Sequence, residues 1–213
     1  MKKDPSEVIE DLIGSAPGIS GKTGQLLAYQ ERLSRWNRKV SLTSVPDSEI
    51  LLRLILPSAW LGLQYLKMEI GVVADFGTGA GIPGIPMAII DSRNKYLLID
   101  SSQKKSAFVR TCLSDREVIS GKNLEMRTCR IGRGIWEEKV NAVVTRGAGT
   151  MLETVRLWEG KLAAPGFLDF FKGERMEQES AELEEAYPAA RVETIAVPEW
   201  FGNLKLARIQ IDR

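Results

Sequence analysis

Residues 72–86 read VVADFGTGAGIPGIP, and this stretch decides the fold. An apolar strand ending at Phe76 runs into a glycine loop, and Pro83 then marks the start of a helix. Glycine permits positive φ and leaves backbone N–H groups uncovered, while proline suits the first turn of a helix. The stretch therefore predicts a rigid, donor-rich loop that holds a nucleotide-like cofactor, and four glycines between a strand and a helix disfavour a turn without a ligand.

Two acidic residues bear on the identity of the cofactor. The pattern Gly79-x-Gly81-x-x-Gly84 matches the dinucleotide fingerprint, which places a pyrophosphate on a helix N-terminus. Asp75, however, lies near the end of the strand, one residue ahead of the loop, where a carboxylate repels a pyrophosphate and attracts the cationic amino-acid part of S-adenosylmethionine (AdoMet). Asp100 ends a second apolar strand and suits the ribose hydroxyls of either cofactor. The loop favours AdoMet, and NAD remains the alternative.

The chain of 213 residues contains no histidine. This absence excludes Ser-His-Asp hydrolysis, Cys-His proteolysis, histidine general-base catalysis and nearly all zinc enzymes, so we expect no metal. The net charge is +1, so binding of a polyanion requires local clustering of basic residues. No signal-peptide pattern and no membrane-spanning apolar run is present, and the two cysteines lack a Cys-x-x-Cys spacing. We therefore expect a cytoplasmic protein with no membrane attachment.

Hydrophobic periodicity divides the chain near residue 68. Before this point, helical spacing of apolar residues covers 25–38 and 50–66, with a break predicted at Pro57. After it, strands are predicted at 72–76, 96–100, 124–129, 142–145, 167–171, 192–197 and 204–211, with helices at 83–90, 104–114, 151–162 and 174–186. We expect an N-terminal helical extension, 1–68, and a Rossmann-like α/β domain, 69–213. Its seven-stranded sheet is mostly parallel, with a C-terminal antiparallel pair.

Further segments join the glycine loop in a family pattern. They are WNRKVSLT at 36–43, DS at 100–101 followed by KK at 104–105, TRGA at 145–148 and FKG at 171–173. In order and spacing, from about residue 26 to the C-terminus, the chain resembles the RsmG (GidB) methyltransferases. The resemblance implies a class I AdoMet-dependent methyltransferase that methylates N7 of a guanine in the 16S ribosomal RNA of the small subunit. No feature indicates an obligate oligomer, so we expect a monomer.

That reaction is compatible with the missing histidine. Guanine N7 carries an exposed lone pair and no proton, so it attacks a methyl group without a general base. Catalysis then depends on in-line positioning and on a site that tolerates the shift of charge.

Matching the family motifs residue by residue assigns three sets of site residues. For the reacting groups it implies Asn37 and Arg146. For the cofactor it implies Asp75, Gly77, Gly79, Gly81, Pro83, Asp100, Ser101 and Ile131. For the RNA it implies Lys104, Lys105, Arg130, Arg146 and Lys172. Asn37 would look the same as a simple helix-end cap, and Lys104 or Lys105 would suit the cofactor carboxylate as well as an RNA phosphate.

The charges are segregated along the chain. Basic residues gather at Lys104, Lys105, Arg110, Lys122, Arg127, Arg130, Arg133 and Arg146. This segment predicts a basic face for RNA, whereas the acidic helix 174–186 is expected to be a solvated face that points away from it.

The chain departs from the family at several positions. Leu54 and Pro57 stand where the family usually has a histidine and an acid, and Ile131-Gly132 replaces an Ala-Glu pair. The cofactor loop is intact, while the substrate side differs. Two alternatives follow, namely a methyltransferase retargeted to another RNA or substrate, and a non-catalytic AdoMet- or RNA-binding module.

Overall fold

A computed structural model describes residues 9–10, 21–132 and 136–211, so Arg133 lies outside the described residues. The α-helices are α1 (Lys22–Asn37), α2 (Leu56–Leu66), α3 (Gly84–Ile90), α4 (Gln103–Leu113), α5 (Met151–Trp158) and α6 (Met176–Ala186). The strands are β1 (Val72–Phe76), β2 (Lys95–Asp100), β3 (Leu124–Thr128), β4 (Val140–Arg146), β5 (Leu162–Lys172), β6 (Ala190–Ile195) and β7 (Lys205–Ile211). Short 3-10 helices cover Asp47–Glu49 and Glu199–Phe201, and a π-helix covers Leu51–Ile55.

The seven strands form one sheet in the order β3-β2-β1-β4-β5-β7-β6. Strands β1 to β5 are parallel, and β7 runs antiparallel to both β5 and β6. The predicted fold class is confirmed. The strand order reverses at β1, where Phe76 pairs with Ile99 of β2 and with Thr145 of β4. The ends of β1, β2 and β4 therefore meet at one edge of the sheet, at the crevice where open α/β sheets bind ligands.

The N-terminal helix α1 packs directly beneath the glycine loop. Leu26, Tyr29 and Leu33, at helical spacing, are fully buried in one core cluster that also contains Ile85 of α3 and Phe108 of α4. Burial of each large apolar side chain contributes about 1.5–3 kcal/mol. The extension before β1 thus shares its core with the helices that follow β1 and β2.

Two of the predicted boundaries are wrong. The predicted break at Pro57 is absent from residues 50–66, because Pro57 lies in the first turn of α2 and the π-helix runs straight into that turn. Proline cannot donate to the preceding turn, and the wider π-helical turn directly before it, in which the Leu56 N–H donates to the Leu51 carbonyl oxygen, accommodates the missing bond without ending the helix. The helix predicted over 151–162 ends at Trp158, and Leu162 begins β5 by pairing with Val140 before a register shift.

In the described part of the chain, no helix is both long and apolar enough to cross a membrane.

Candidate active site

Asp75, near the end of β1, fixes the glycine loop through hydrogen bonds. Its side chain is fully buried, and Oδ2 accepts hydrogen bonds from Thr78 Oγ1 at 2.5 Å and from the Gly84 N–H at 2.7 Å. Burial raises the pKa of Asp75 to about 7, the two hydrogen bonds oppose this rise, and Asp100 adds to it. Among the described residues, Oδ1 has no hydrogen-bond partner. One oxygen therefore ties the loop to the start of α3, and the other remains unpaired.

Asp100, at the end of β2, joins the second strand to the same loop. Its Oδ2 accepts a hydrogen bond from the Gly79 N–H at 2.9 Å, and its Oδ1 accepts one from the Ser102 N–H at 2.8 Å. Both bonds fix the carboxylate at the sheet edge. Each oxygen retains a lone pair for a hydroxyl donor.

Two glycines of the loop have different surroundings. A Cβ at Gly77, where φ is +70°, would lie 2.2 Å from the Ala148 Cβ, so the segment after β4 closes tightly against Gly77. At Gly79, where φ is +57°, the nearest atoms to an added Cβ are the Gly77 carbonyl oxygen at 3.8 Å and Lys105 Nζ at 4.0 Å. The loop thus presents bare backbone at Gly79, with the Lys105 ammonium beside it.

A first cavity of about 560 Å³ opens at these strand ends, within the size range of small-molecule sites. Its lining includes the predicted residues Gly77, Asp100, Ser101, Arg130 and Ile131. It also includes Cys129, Gly149, Glu153 and Leu157, which the motifs did not indicate. Gly81 and Pro83 are buried in the loop, with Pro83 preceding α3. The first cavity therefore gathers the ends of β1, β2 and β3 and the first turns of α5.

A second cavity, of about 1730 Å³, is also lined by the segment after β4. Arg146 and Lys172 line it, and Gly149 and Glu153 line both cavities. Glu153 forms a capping box with Thr150, since its carboxylate accepts from the Thr150 N–H at 3.0 Å and its own N–H donates to Thr150 Oγ1 at 3.2 Å. The wall between the two cavities is therefore a capped helix start.

Arg146 presents a guanidinium to the second cavity. Nη2 donates to the Arg53 carbonyl oxygen at 2.7 Å, and the guanidinium carbon lies 5.4 Å from the centre of the Phe171 ring. Burial, with a further contribution from the Arg53 charge, lowers the pKa of Arg146 to about 10, so the group is still a cation near pH 7. Nη1 is buried and has no hydrogen-bond partner among the described residues. The guanidinium is thus held in place through Nη2, while Nη1 keeps its donors without a protein acceptor.

The ammonium of Lys172, which was predicted to contact RNA, bonds to groups of the protein itself. Its ammonium donates to a Glu179 carboxylate oxygen at 2.7 Å and to the Gly149 carbonyl oxygen at 3.0 Å. The same Glu179 oxygen accepts from the Met151 N–H at 2.9 Å, and the two side chains are only 11% and 7% exposed. The expectation that the whole acidic helix is solvated is wrong for Glu179. Its carboxylate pairs with the partly buried Lys172 ammonium and accepts from the first N–H of α5, so the pair positions the segment that both cavities share.

Three further residues that the motifs indicated, Asn37, Lys104 and Arg130, differ in their surroundings. The Asn37 Oδ1 accepts from the Leu42 and Thr43 N–H groups at 2.8 and 2.9 Å, which is the helix-end arrangement considered above. Lys104 is exposed on α4, and Arg130 is exposed at the rim of the first cavity.

The predicted basic face is weaker than the sequence indicates. Arg127, one of its members, is held by the carboxylates of Glu125 and Glu138. Its charge is therefore largely compensated within the protein.

Within the described ranges, no cluster of three or more histidine, cysteine or acidic side chains has a metal-binding arrangement.

A family model and individual relatives of known name both match this chain, and they point to the same family. A family model described as GidB, rRNA small subunit methyltransferase G, matches residues 22–206. A ribosomal RNA small subunit methyltransferase G from Actinobacillus succinogenes is 33% identical over 188 residues, which cover 87% of this chain and 86% of the relative. One of the same name from Escherichia coli is 31% identical and covers 89% of each chain.

Solved structures show the same fold at low identity. The SAH-bound methyltransferase PaMTH1 from Podospora anserina aligns with a TM-score of 0.66 and 12% identity, over 98% of this chain and 94% of that one. An O-methyltransferase from Bacillus cereus, in complex with SAH, aligns with a TM-score of 0.64 and 11% identity, over 97% and 96%. These likenesses establish the class I methyltransferase architecture.

Proposed function

Because the chain belongs to the rRNA small subunit methyltransferase G (GidB) family, we propose that it transfers the methyl group of AdoMet to N7 of a guanine in 16S ribosomal RNA. The observation that carries this proposal is the family match over residues 22–206, which spans both cavities and the helix α1 beneath them. The proposal includes a cytoplasmic monomer that uses no metal, since its substrate belongs to the small ribosomal subunit and the reaction requires no Lewis acid.

The first cavity has the features that AdoMet requires. Asp75 does not line the first cavity, but it directly precedes the lining residues Phe76 and Gly77, and its buried, unpaired Oδ1 would neutralise a cationic amino group bound there. The fixed Asp100 carboxylate lines the cavity, where ribose hydroxyls would donate to it. Ile131 and Leu157 offer apolar surface for an adenine ring. Lys105, close to the bare backbone at Gly79, would pair with the amino-acid carboxylate. When bound, AdoMet supplies a methyl group on a positively charged sulfur.

The chain's own residues need only position the guanine. N7 uses its lone pair and releases no proton, so an enzyme without histidine meets the chemical requirement. Arg146, charged near pH 7 and with Nη1 unpaired, would donate to the O6 oxygen of the guanine or to a phosphate of its nucleotide. Holding the ring in line with the methyl group accounts for a large part of such a rate enhancement.

The departures at Leu54 and Pro57 do not favour a different substrate. Both side chains are buried, and Leu54 belongs to the core cluster of α1 and α3. The neighbouring Arg53 lines the second cavity instead. Replacement of a histidine at position 54 therefore alters the packing of the core and leaves the charged groups of the cavity in place.

The test is methyl transfer from labelled AdoMet to small ribosomal subunits prepared from a strain that lacks the modification. We expect label in 7-methylguanosine after nucleoside digestion. Label in another nucleoside would select the retargeted methyltransferase, and AdoMet binding without any label would select the non-catalytic module.

A further inference from the structure

Trp200 is an exposed aromatic residue in a firmly supported turn. It lies in the 3-10 turn Glu199–Phe201 between β6 and β7, and 41% of its surface is exposed. Phe201 stacks on it with a centroid distance of 5.2 Å and an interplanar angle of 9°, and Trp60 of α2 meets Phe201 edge-on at 6.4 Å. The orientation of the indole is thus fixed from one side. Across the described residues, no other ring or guanidinium stacks on its opposite face.

The turn places this indole in the second cavity. Trp200, Arg53 and Arg146 all line that cavity, which shares the lining residues Gly149 and Glu153 with the first one. A guanine that Arg146 holds in the second cavity, with N7 directed towards the first, would therefore have its neighbouring nucleotides in the space that Trp200 borders.

The charges that line the second cavity indicate that RNA would be bound there by base stacking rather than by attraction to a net positive charge. Glu49 is paired with Arg53 at 2.8 Å, and Glu179 is paired with Lys172. Glu174, Arg175 and Glu199 also line the cavity, so its lining carries both signs of charge. Base stacking on an aromatic ring does not depend on a positive field, because every base has a π-face.

We propose that Trp200 is a stacking platform for a nucleobase adjacent to the target guanine. The proposal rests on the function proposed above and adds a binding subsite for single-stranded RNA. The supported indole loses little freedom when a base stacks on it, so it binds the flanking nucleotide and holds the target in register.

The experiment compares four variants in the full chain. Trp200→Ala removes the ring, Trp200→Leu keeps apolar bulk without an aromatic face, and Trp200→Phe keeps the face. Leu27→Ala is the matched control, because Leu27 is 44% exposed but lies on α1. For each, we would measure the Kd for AdoMet, the Kd for unmodified 16S rRNA made by transcription, and kcat and KM on unmodified small subunits.

We expect Trp200→Ala and Trp200→Leu to raise the Kd for RNA and the KM for subunits by about 5- to 150-fold, the range for loss of one stacked base. Trp200→Phe should restore most of the affinity, and the Kd for AdoMet should not change. Leu27→Ala should match the wild type in every value.

Each contrary result has a separate meaning. If wild type forms 7-methylguanosine and Trp200→Leu binds RNA as wild type does, the platform is wrong and the proposed function stands. If Trp200→Leu loses RNA affinity but wild type forms no 7-methylguanosine, the platform stands and the proposed function is wrong. Weaker binding of subunits with unchanged binding of free rRNA would mean that the ring contacts a ribosomal protein, which overturns the nucleobase assignment.

Discussion

The Tyr29 hydroxyl donates a 2.6 Å hydrogen bond to the Ala80 carbonyl oxygen, which connects the N-terminal helix α1 to the cofactor loop. Both groups are buried, and burial holds the pKa of Tyr29 well above its ordinary value, so the phenol remains a donor. The loop that would bind AdoMet is therefore held by three side chains from different elements, Tyr29 of α1, Asp75 of β1 and Asp100 of β2.

Tyr29→Phe should weaken both the fold and cofactor binding. The change leaves a buried carbonyl without its donor, which costs about 1–3 kcal/mol of unfolding free energy. Urea denaturation and calorimetric titration with AdoMet measure the two effects. Tyr187→Phe is the control, because the Tyr187 hydroxyl bonds to Glu159 at an exposed position. Equal stabilities of the two variants would contradict the role of Tyr29.

Gly77→Ala and Gly79→Ala should separate folding from binding. Both changes put a side chain at positive φ, at a cost of about 1–2 kcal/mol. Only the new methyl group of Gly77→Ala also overlaps Ala148. The unfolding free energy of this variant should therefore be lower than that of Gly79→Ala by about 1–3 kcal/mol. Gly79→Ala should still fold, but its affinity for AdoMet should fall, because the new methyl group lies where the bare backbone would meet the ligand. Thermal unfolding and AdoMet titration together check this order.

Asp75→Asn should change how stability depends on pH. The folded pKa of Asp75, about 7, lies above its ordinary value of 3.8, so the folded protein holds this proton more tightly than the unfolded chain does. The wild type therefore loses stability from this group as pH rises from about 4 to about 7, and the loss levels off above that range. The asparagine does not titrate. In urea melts, the unfolding free energy of Asp75→Asn minus that of the wild type should therefore rise between about pH 4 and about pH 7. A difference that does not change with pH would contradict the raised pKa of Asp75.

Lys172→Ala should destabilise the protein before it affects any RNA contact. Removal of the lysine leaves the Glu179 carboxylate buried without its partner, which costs about 3–5 kcal/mol. Lys205→Ala is the control, since the Lys205 pair with Glu177 is solvent-exposed and should contribute nothing measurable. Wild-type stability of Lys172→Ala together with weaker RNA binding would restore the original RNA-binding assignment.

Arg146→Ala should reduce methyl transfer and spare AdoMet affinity. Loss of a charged hydrogen-bond donor to the nucleotide should lower kcat/KM on small subunits by about 10- to 150-fold, equivalent to 1.5–3 kcal/mol. Arg35→Ala, at an exposed position of α1, provides the control. Unfolding of Arg146→Ala under conditions where Arg35→Ala is folded would make the role of Arg146 structural.

The sequence predicts the sheet and the position of the site because both depend on local patterns. Alternating apolar strands and helices predict a parallel sheet with right-handed crossovers, although not its strand order, and Asp75, Asp100 and Arg146 fall at strand ends that must share an edge. The capping box was also visible in the sequence as Thr150 followed by Glu153 three residues later. The motifs therefore located the first cavity, and the helix-start pattern could have indicated its wall.

What the sequence could not predict depends on contacts between distant residues. The Tyr29 bond to Ala80 joins positions 51 residues apart, and a tyrosine at helical spacing reads only as core. Glu179 lies in a run of acidic residues that reads as solvated, yet it turns inward to Lys172. A lysine after a strand gives no sign of whether its ammonium faces a ligand or a buried carboxylate.

The wall from Gly149 to Glu153 gives the two cavities a common boundary, and this has a thermodynamic consequence. A ligand in one cavity that shifts this wall changes the free energy of binding in the other. Linkage requires that coupling to be reciprocal, so RNA must alter cofactor affinity by the same factor by which the cofactor alters RNA affinity. Methyl transfer would remove the positive charge of the cofactor, and by the same linkage any change in coupling would appear as a change in RNA affinity between the substrate and product complexes.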